Sequence, residues 1–223
     1  MRPVACELVA LVGILTLASD PALADEASDT FRVGARRLEE HNPRDAFRAG
    51  VRLLEEHKPR DAVESFRKVA ELAPQYPEVF IHLGDAWLQL RKYGEAAACY
   101  NRSLESDAPG EATSRALTGL GCAHLGLATG PKREDFAAKA IWCFDLVIKD
   151  SPRFAPSYHN RGRAYHLRKD LDRAIADFDK AIELDPAHAD AYENRGKAWE
   201  DKGDRKRAGA DLARARELRA RKK

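Results

Sequence analysis

Five glycines, Gly50, Gly84, Gly121, Gly162 and Gly196, recur along the chain at spacings of 34, 37, 41 and 34 residues. Five alanines, Ala62, Ala96, Ala140, Ala174 and Ala208, follow at spacings of 34, 44, 34 and 34. Both columns span 146 residues, so they drift apart in the middle of the chain and recover together. A large apolar residue stands four positions after each alanine: Phe66, Tyr100, Phe144, Phe178 and Leu212. Pro74, Pro152 and Pro186 close three units, where proline cannot continue a preceding helix. A unit of this size cannot bury its own apolar flank, and stacking a neighbour on it does so. The 223 residues, 33% charged and 44% hydrophobic, have the balance of a folded soluble protein and exclude a polytopic membrane protein. Length alone leaves one domain or two; the period selects a single array.

The columns carry recognisable side chains. Phe80-Ile81-His82-Leu83-Gly84 with Trp87, Tyr158 to Gly162 with Tyr165, and Tyr192 to Gly196 with Trp199 share one pattern, and Ala-Ile-Glu-Leu-Asp-Pro ends a unit at 181–186. Together they resemble the tetratricopeptide repeat (TPR) family. The resemblance implies an all-α, right-handed α-solenoid of about five helix hairpins, with units at 43–76, 77–110, 114–154, 155–188 and 189–222. It also implies a concave groove lined by the first helix of each unit, holding a peptide or a partner protein. Residues one turn apart project together, which places Phe47 with Val51, Ile81 with Asp85 and Leu88, Thr118 with Cys122, His159 with Arg163 and His166, and Glu193 with Lys197 and Glu200 in that groove. The lining is apolar toward the N-terminal end and charged toward the C-terminal end. Some relatives grip a terminal carboxylate with Lys, Arg and Asn; Asn160 and Asn194 fit that pattern, but Ile81, Asp85 and Asp190 depart from it. The clamp is therefore expected to be absent and the two asparagines bonded to backbone. In the bland alternative, His159 opposite Glu193 and His166 opposite Glu200 are inter-repeat pairs. With ordinary pKa values, the histidines are expected to strengthen ligand binding in mild acid.

Outside the array, residues 1–24 read as a signal peptide: Arg2, the apolar run Leu8–Ala18, then Ala22-Leu23-Ala24 before cleavage. The reading implies export, periplasmic or extracellular; an uncleaved membrane anchor is the alternative. Residues 31–46 and 47–62 match at 12 of 16 positions, so 25–42 is expected to be a linker and an extra capping helix. The third unit carries a seven-residue insertion around Ala128–Asp135, assigned to its inter-helix loop, and a three-residue insertion at Glu111–Thr113, assigned to the connection before it.

No enzyme motif is present, and the chain reads as a non-catalytic scaffold without cofactor or metal. His159 and His166 lack a third metal ligand. Cys99, Cys122 and Cys143 lack paired-ligand spacing and read as small core residues, with any disulfide left open. The net charge of +2 argues against a nucleic-acid partner. It is the sum of net −1 in residues 1–24, a net −4 body and a net +7 stretch at Arg205–Lys223. That stretch reads as a solvated cap, with peripheral contact to a membrane surface or polyanion as the alternative.

Overall fold

A computed structural model describes residues 43–105 and 110–221. The expected signal peptide at 1–24 and the capping helix within 25–42 lie outside the described residues. Among the described residues there are ten α-helices and no strands. They run as hairpins: α1 (Pro43–Glu55) and α2 (Pro59–Leu72), α3 (Pro77–Gln89) and α4 (Tyr93–Leu104), α5 (Gly110–Leu127) and α6 (Arg133–Asp150), α7 (Ala155–Leu167) and α8 (Leu171–Leu184), α9 (Ala189–Asp201) and α10 (Arg205–Ala220). Phe47–Lys223 forms one compact unit, and the four described residues before it, Pro43–Ala46, are the first turn of α1.

The glycine column explains how close the helices of each hairpin lie. A Cβ on Gly121 would stand 2.6 Å from Phe144 Cζ, and one on Gly84 2.7 Å from Tyr100 Cζ. The rings are fully buried and fill the space the glycines vacate. Gly119, outside the column, faces the previous unit instead, where a Cβ would run into the Tyr100 ring. Gly119 and Gly121 therefore serve two interfaces from one helix: the step from the second unit to the third, and the third hairpin itself. Gly119→Ala is expected to cost about 1–3 kcal/mol, because the Tyr100 ring it would meet is fully buried and held by its hydrogen bond to Asp85; urea unfolding checks it.

Four of the turns inside hairpins are built alike. His57, Arg91, Lys169 and Gly203 occupy the same middle position with positive φ, between 56° and 87°. Only Gly203 adopts that conformation without steric cost. His57→Gly is expected to raise stability by about 1 kcal/mol, read from the urea midpoint.

The third unit departs from expectation. Its two insertions are not mainly loop. Glu111–Thr113 lies within α5, which starts four residues earlier, relative to its column glycine, than the other first helices. Of the seven residues near Ala128–Asp135, four extend the start of α6, one extends α5, and two lengthen the turn, which includes a 3₁₀ segment at Gly130–Lys132. Backbone hydrogen bonding favours continuing a helix over leaving polar groups in a loop. Ala112 within the α5 extension is buried, as are Ala116 and Ala137 just beyond the two extensions.

First helices meet one another across units, α3 on α5, α5 on α7 and α7 on α9. They therefore share one face of the array. At its C-terminal end, α10 presents Arg205, Gly209 and Arg216 where α8 has Leu171, Ile175 and Ile182. The face to which another unit would be added is thus polar.

Candidate functional site: an apolar groove between first helices

Where α3 meets α5 the shared face opens into a cavity of about 460 Å³. Its lining is mainly apolar: Ile81 and Leu88 from α3, Gly119 and Cys122 from α5, Val147 from α6, and Phe154 from the turn into α7. Asp85, Glu111, Ser114, Arg115, Thr118 and Ser151 supply the polar part. Phe154 is 41% exposed, so an aromatic face lies open at the rim.

The structure brings five of the sequence-derived groove residues together here, namely Ile81, Asp85, Leu88, Thr118 and Cys122. Ile81 is only 1% exposed and acts as floor more than as contact surface. Thr118 turns its hydroxyl onto the Ser114 carbonyl at 2.8 Å, leaving its methyl for the cavity. Cys122 accepts a long hydrogen bond of 3.7 Å from the Asn160 amide. Phe47 is elsewhere: its ring packs edge-on against Phe66 and His82, with centroids 5.7 and 5.1 Å away. Val51, on the same helix, is half-buried.

Toward the C-terminal end the expected lining is largely used within the protein. His159 is 8% exposed and sits in the wall between α7 and α9. Its Nε2 lies 2.8 Å from the Asn194 amide nitrogen, and its ring centroid 4.7 Å from that of His188. The partner is therefore Asn194 and not Glu193. Burial, with His188 beside it, pushes the His159 imidazole down to about 4. It remains neutral in mild acid, so the expected acid-strengthened binding through this residue is withdrawn. His166 meets Asp201 at 3.0 Å and not Glu200, and Lys169 shares that carboxylate. Glu200 is exposed. Glu193 pairs with Lys197 at 2.5 Å and with Arg219 of α10. Arg163 donates to Asn160 at 3.0 Å. The asparagines thus bond to side chains, not to backbone as expected.

The sequence reading missed a pair of arginine staples. Arg161 donates from Nε and Nη2 to both oxygens of Asp177, at 2.8 and 2.7 Å, and from Nη1 to Asp145 at 2.6 Å. Arg195 repeats the pattern with Asp211, at 2.8 and 2.6 Å, and Asp179, at 2.5 Å. Each guanidinium ties a first helix to the second helix of its own unit and to that of the unit before. The carboxylates hold both guanidinium groups firmly charged, while burial pushes the Asp177 carboxyl up against the pull of Arg161.

The three cysteines among the described residues are free thiols. Burial raises Cys99 to about 11 and Cys143 to about 12, which suppresses thiolate chemistry. On α10, Arg207, Arg214 and Arg219 pair with Asp204, Glu217, Asp190 and Glu193. Arg205, Lys206 and Arg216 are exposed and have no carboxylate partner among the described residues.

Residues 47–112 match a family model described as tetratricopeptide repeat, and residues 162–203 match one described as TPR repeat. No curated protein sequence matches the chain. Among solved structures, the fold is similar to residues 41 to the end of MamA from Desulfovibrio magneticus RS-1, with TM-score 0.67 and 21% identity over 80% of this chain and 95% of that one. A thermophilic TPR protein from Thermus thermophilus gives 0.66 and 20% over 80% and 96%. YrrB, described as a TPR protein with an unusual peptide-binding site, gives 0.60 and 19% over 82% and 91%. At these identities the likeness is one of fold.

Proposed function

We propose that this chain, an α-solenoid of tetratricopeptide repeats, is a non-catalytic protein-interaction scaffold that holds a peptide or a partner segment on the face shared by its first helices. The observation that carries the reading is the cavity between α3 and α5. It is apolar, open, rimmed by the exposed ring of Phe154, and of a size used for specific ligands. Further along, His159 and His166 are committed to contacts between units and Glu193 to Lys197 and Arg219 within its own unit, so apolar contact area is free mainly in the N-terminal half of the groove.

Thr118→Arg fills this cavity without touching the glycine columns, and Phe154→Ser removes its exposed aromatic wall. Each is expected to weaken partner capture at least tenfold, a size typical of losing a central interface contact, with thermal unfolding shifted by only a few degrees. Crosslinked capture by the full chain and its variants, read by mass spectrometry, checks this. A partner retained by both variants would sink the groove reading.

Arg205, Lys206 and Arg216, exposed and without a carboxylate partner among the described residues, favour a second reading, contact of α10 with an anionic membrane surface. Under it, substitution of those three by serine abolishes binding to phosphatidylserine vesicles and the groove variants change nothing. Export after cleavage at Ala24 belongs to the same proposal, and fractionation of cells expressing the full chain tests it.

A further inference from the structure

The cavity between α3 and α5 is not electrically neutral. Asp85 has one oxygen committed: the buried Tyr100 hydroxyl donates to its Oδ1 at 2.6 Å. Tyr100 is fully buried, which fixes its phenol and hence the orientation of the carboxylate. Among the described residues the other oxygen, Oδ2, has only Arg115 at 3.8 Å and His82 at 3.9 Å, both beyond hydrogen-bond distance. Glu111, exposed on the rim, has no cationic partner among the described residues. Ser114, also on the rim, brings in a third carboxylate by donating to Asp150 at 2.9 Å. Against these three acids the lining supplies one guanidinium, Arg115.

Resting on the groove reading above, we infer that this cavity takes an extended peptide in which an apolar side chain stands next to a lysine or arginine, the apolar group seated over Ile81, Leu88 and Val147 and the cation meeting Asp85 Oδ2. Charge complementarity selects this occupant. A ligand carboxylate here would face Asp85 and Glu111 with Arg115 alone to hold it, whereas a cation completes a half-satisfied carboxylate at the edge of an apolar surface, where the local dielectric is below that of water. Recognition of a peptide's terminal carboxylate is disfavoured by the same groups.

Three acetylated, C-terminally amidated nonapeptides with one central leucine, flanked by lysine, glutamine or glutamate, test the inference by calorimetric titration of the full chain at low salt. The lysine peptide is expected to bind at least tenfold tighter than the glutamate peptide, with glutamine between. Asp85→Asn keeps an acceptor for Tyr100 and should reduce the lysine preference to threefold or less while leaving the glutamine peptide unchanged. Glu111→Gln, on the exposed rim, provides a second variant that does not touch the core and should lower the preference in the same direction. Arg115→Gln should strengthen lysine-peptide binding, and Thr118→Arg should abolish it. Equal binding of the three peptides, preference for glutamate, absence of binding at millimolar concentration, or retention of the lysine peptide by Thr118→Arg each overturns this partner chemistry. The groove reading is judged separately by partner capture with Thr118→Arg and Phe154→Ser, so the two fail on different measurements.

Discussion

Arg161→Ala is expected to destabilise the array by about 3–5 kcal/mol, the range for removing one member of a buried ion pair. The cost comes from what is left behind. Asp177 is buried, and without Arg161 both of its oxygens lose their donors while Asp145 stays nearby as a like charge. Loss of Asp145 itself should matter much less, since that carboxylate is about half exposed and water replaces the guanidinium. The repeats themselves supply the rescue. At the positions of Arg161 and Asp177, the second unit carries Leu83 and Cys99, and the third carries Leu120 and Cys143. Arg161→Leu combined with Asp177→Cys installs that apolar pair and should recover stability to within about 1–2 kcal/mol of the parent, because replacing a buried ion pair by packed apolar groups is often neutral. Urea unfolding of Arg161→Leu, Asp177→Cys and the double variant completes the cycle, with Arg161→Ala beside them. A double variant no better than Arg161→Ala would show that the staple, and not its buried carboxylate, carries the stability.

That pairing marks how far the sequence could be read. The glycine, alanine and large-apolar columns are visible because all five units obey them, and each reports a steric requirement of close helix packing. The staples occupy only two units, so no column analysis across five units isolates them. The signal was present in another form: arginine before the glycine and aspartate sixteen residues later occur together in the fourth and fifth units, and leucine with cysteine occur together in the second and third. Two residues that change jointly between repeats are in contact, and reading units in pairs would have found them. The third unit was misread for the opposite reason. An insertion has no column to belong to, and whether it extends a helix or a loop depends on the apolar surface available beside it, here the surface that buries Ala112 and Ala137. His159 and His166 are expected opposite Glu193 and Glu200, whereas the structure pairs them one residue later, with Asn194 and Asp201. The angle at which one helix crosses the next sets that offset, and one chain's residue spacing does not contain it. Of the cavity lining, Ile81, Leu88, Thr118 and Cys122 follow from helical periodicity once the family resemblance names the first helices, whereas Val147 and Phe154 come from a second helix and a turn that periodicity along first helices cannot reach.

Below neutral pH, the joint between the last two units is expected to weaken first. His159 is buried between α7 and α9, its Nε2 accepting from Asn194 while the ring is neutral, and the groups facing it are His188, Arg163 and Asp190, with the Phe178 ring of α8 on its other side. The folded protein holds its pKa near 4, against an ordinary value of 6.5. Between those values the unfolded chain binds a proton that the native chain does not, so stability falls as pH falls, fully present above about 6.5 and lost down to about 4. At about 1.4 kcal/mol per pH unit, this one residue removes roughly 3 kcal/mol across the window. Other groups titrate in the same range, and His159→Gln separates them: glutamine can accept from Asn194 but carries no proton to gain. The difference in unfolding free energy between parent and variant should therefore narrow, or change sign in the variant's favour, from pH 7 to pH 4.5. Amide exchange at pH 5 should rise earliest in α9 and α10 of the parent and less in the variant. A parent-to-variant difference that stays constant with pH would place the proton uptake elsewhere and remove His159 from the joint's acid response.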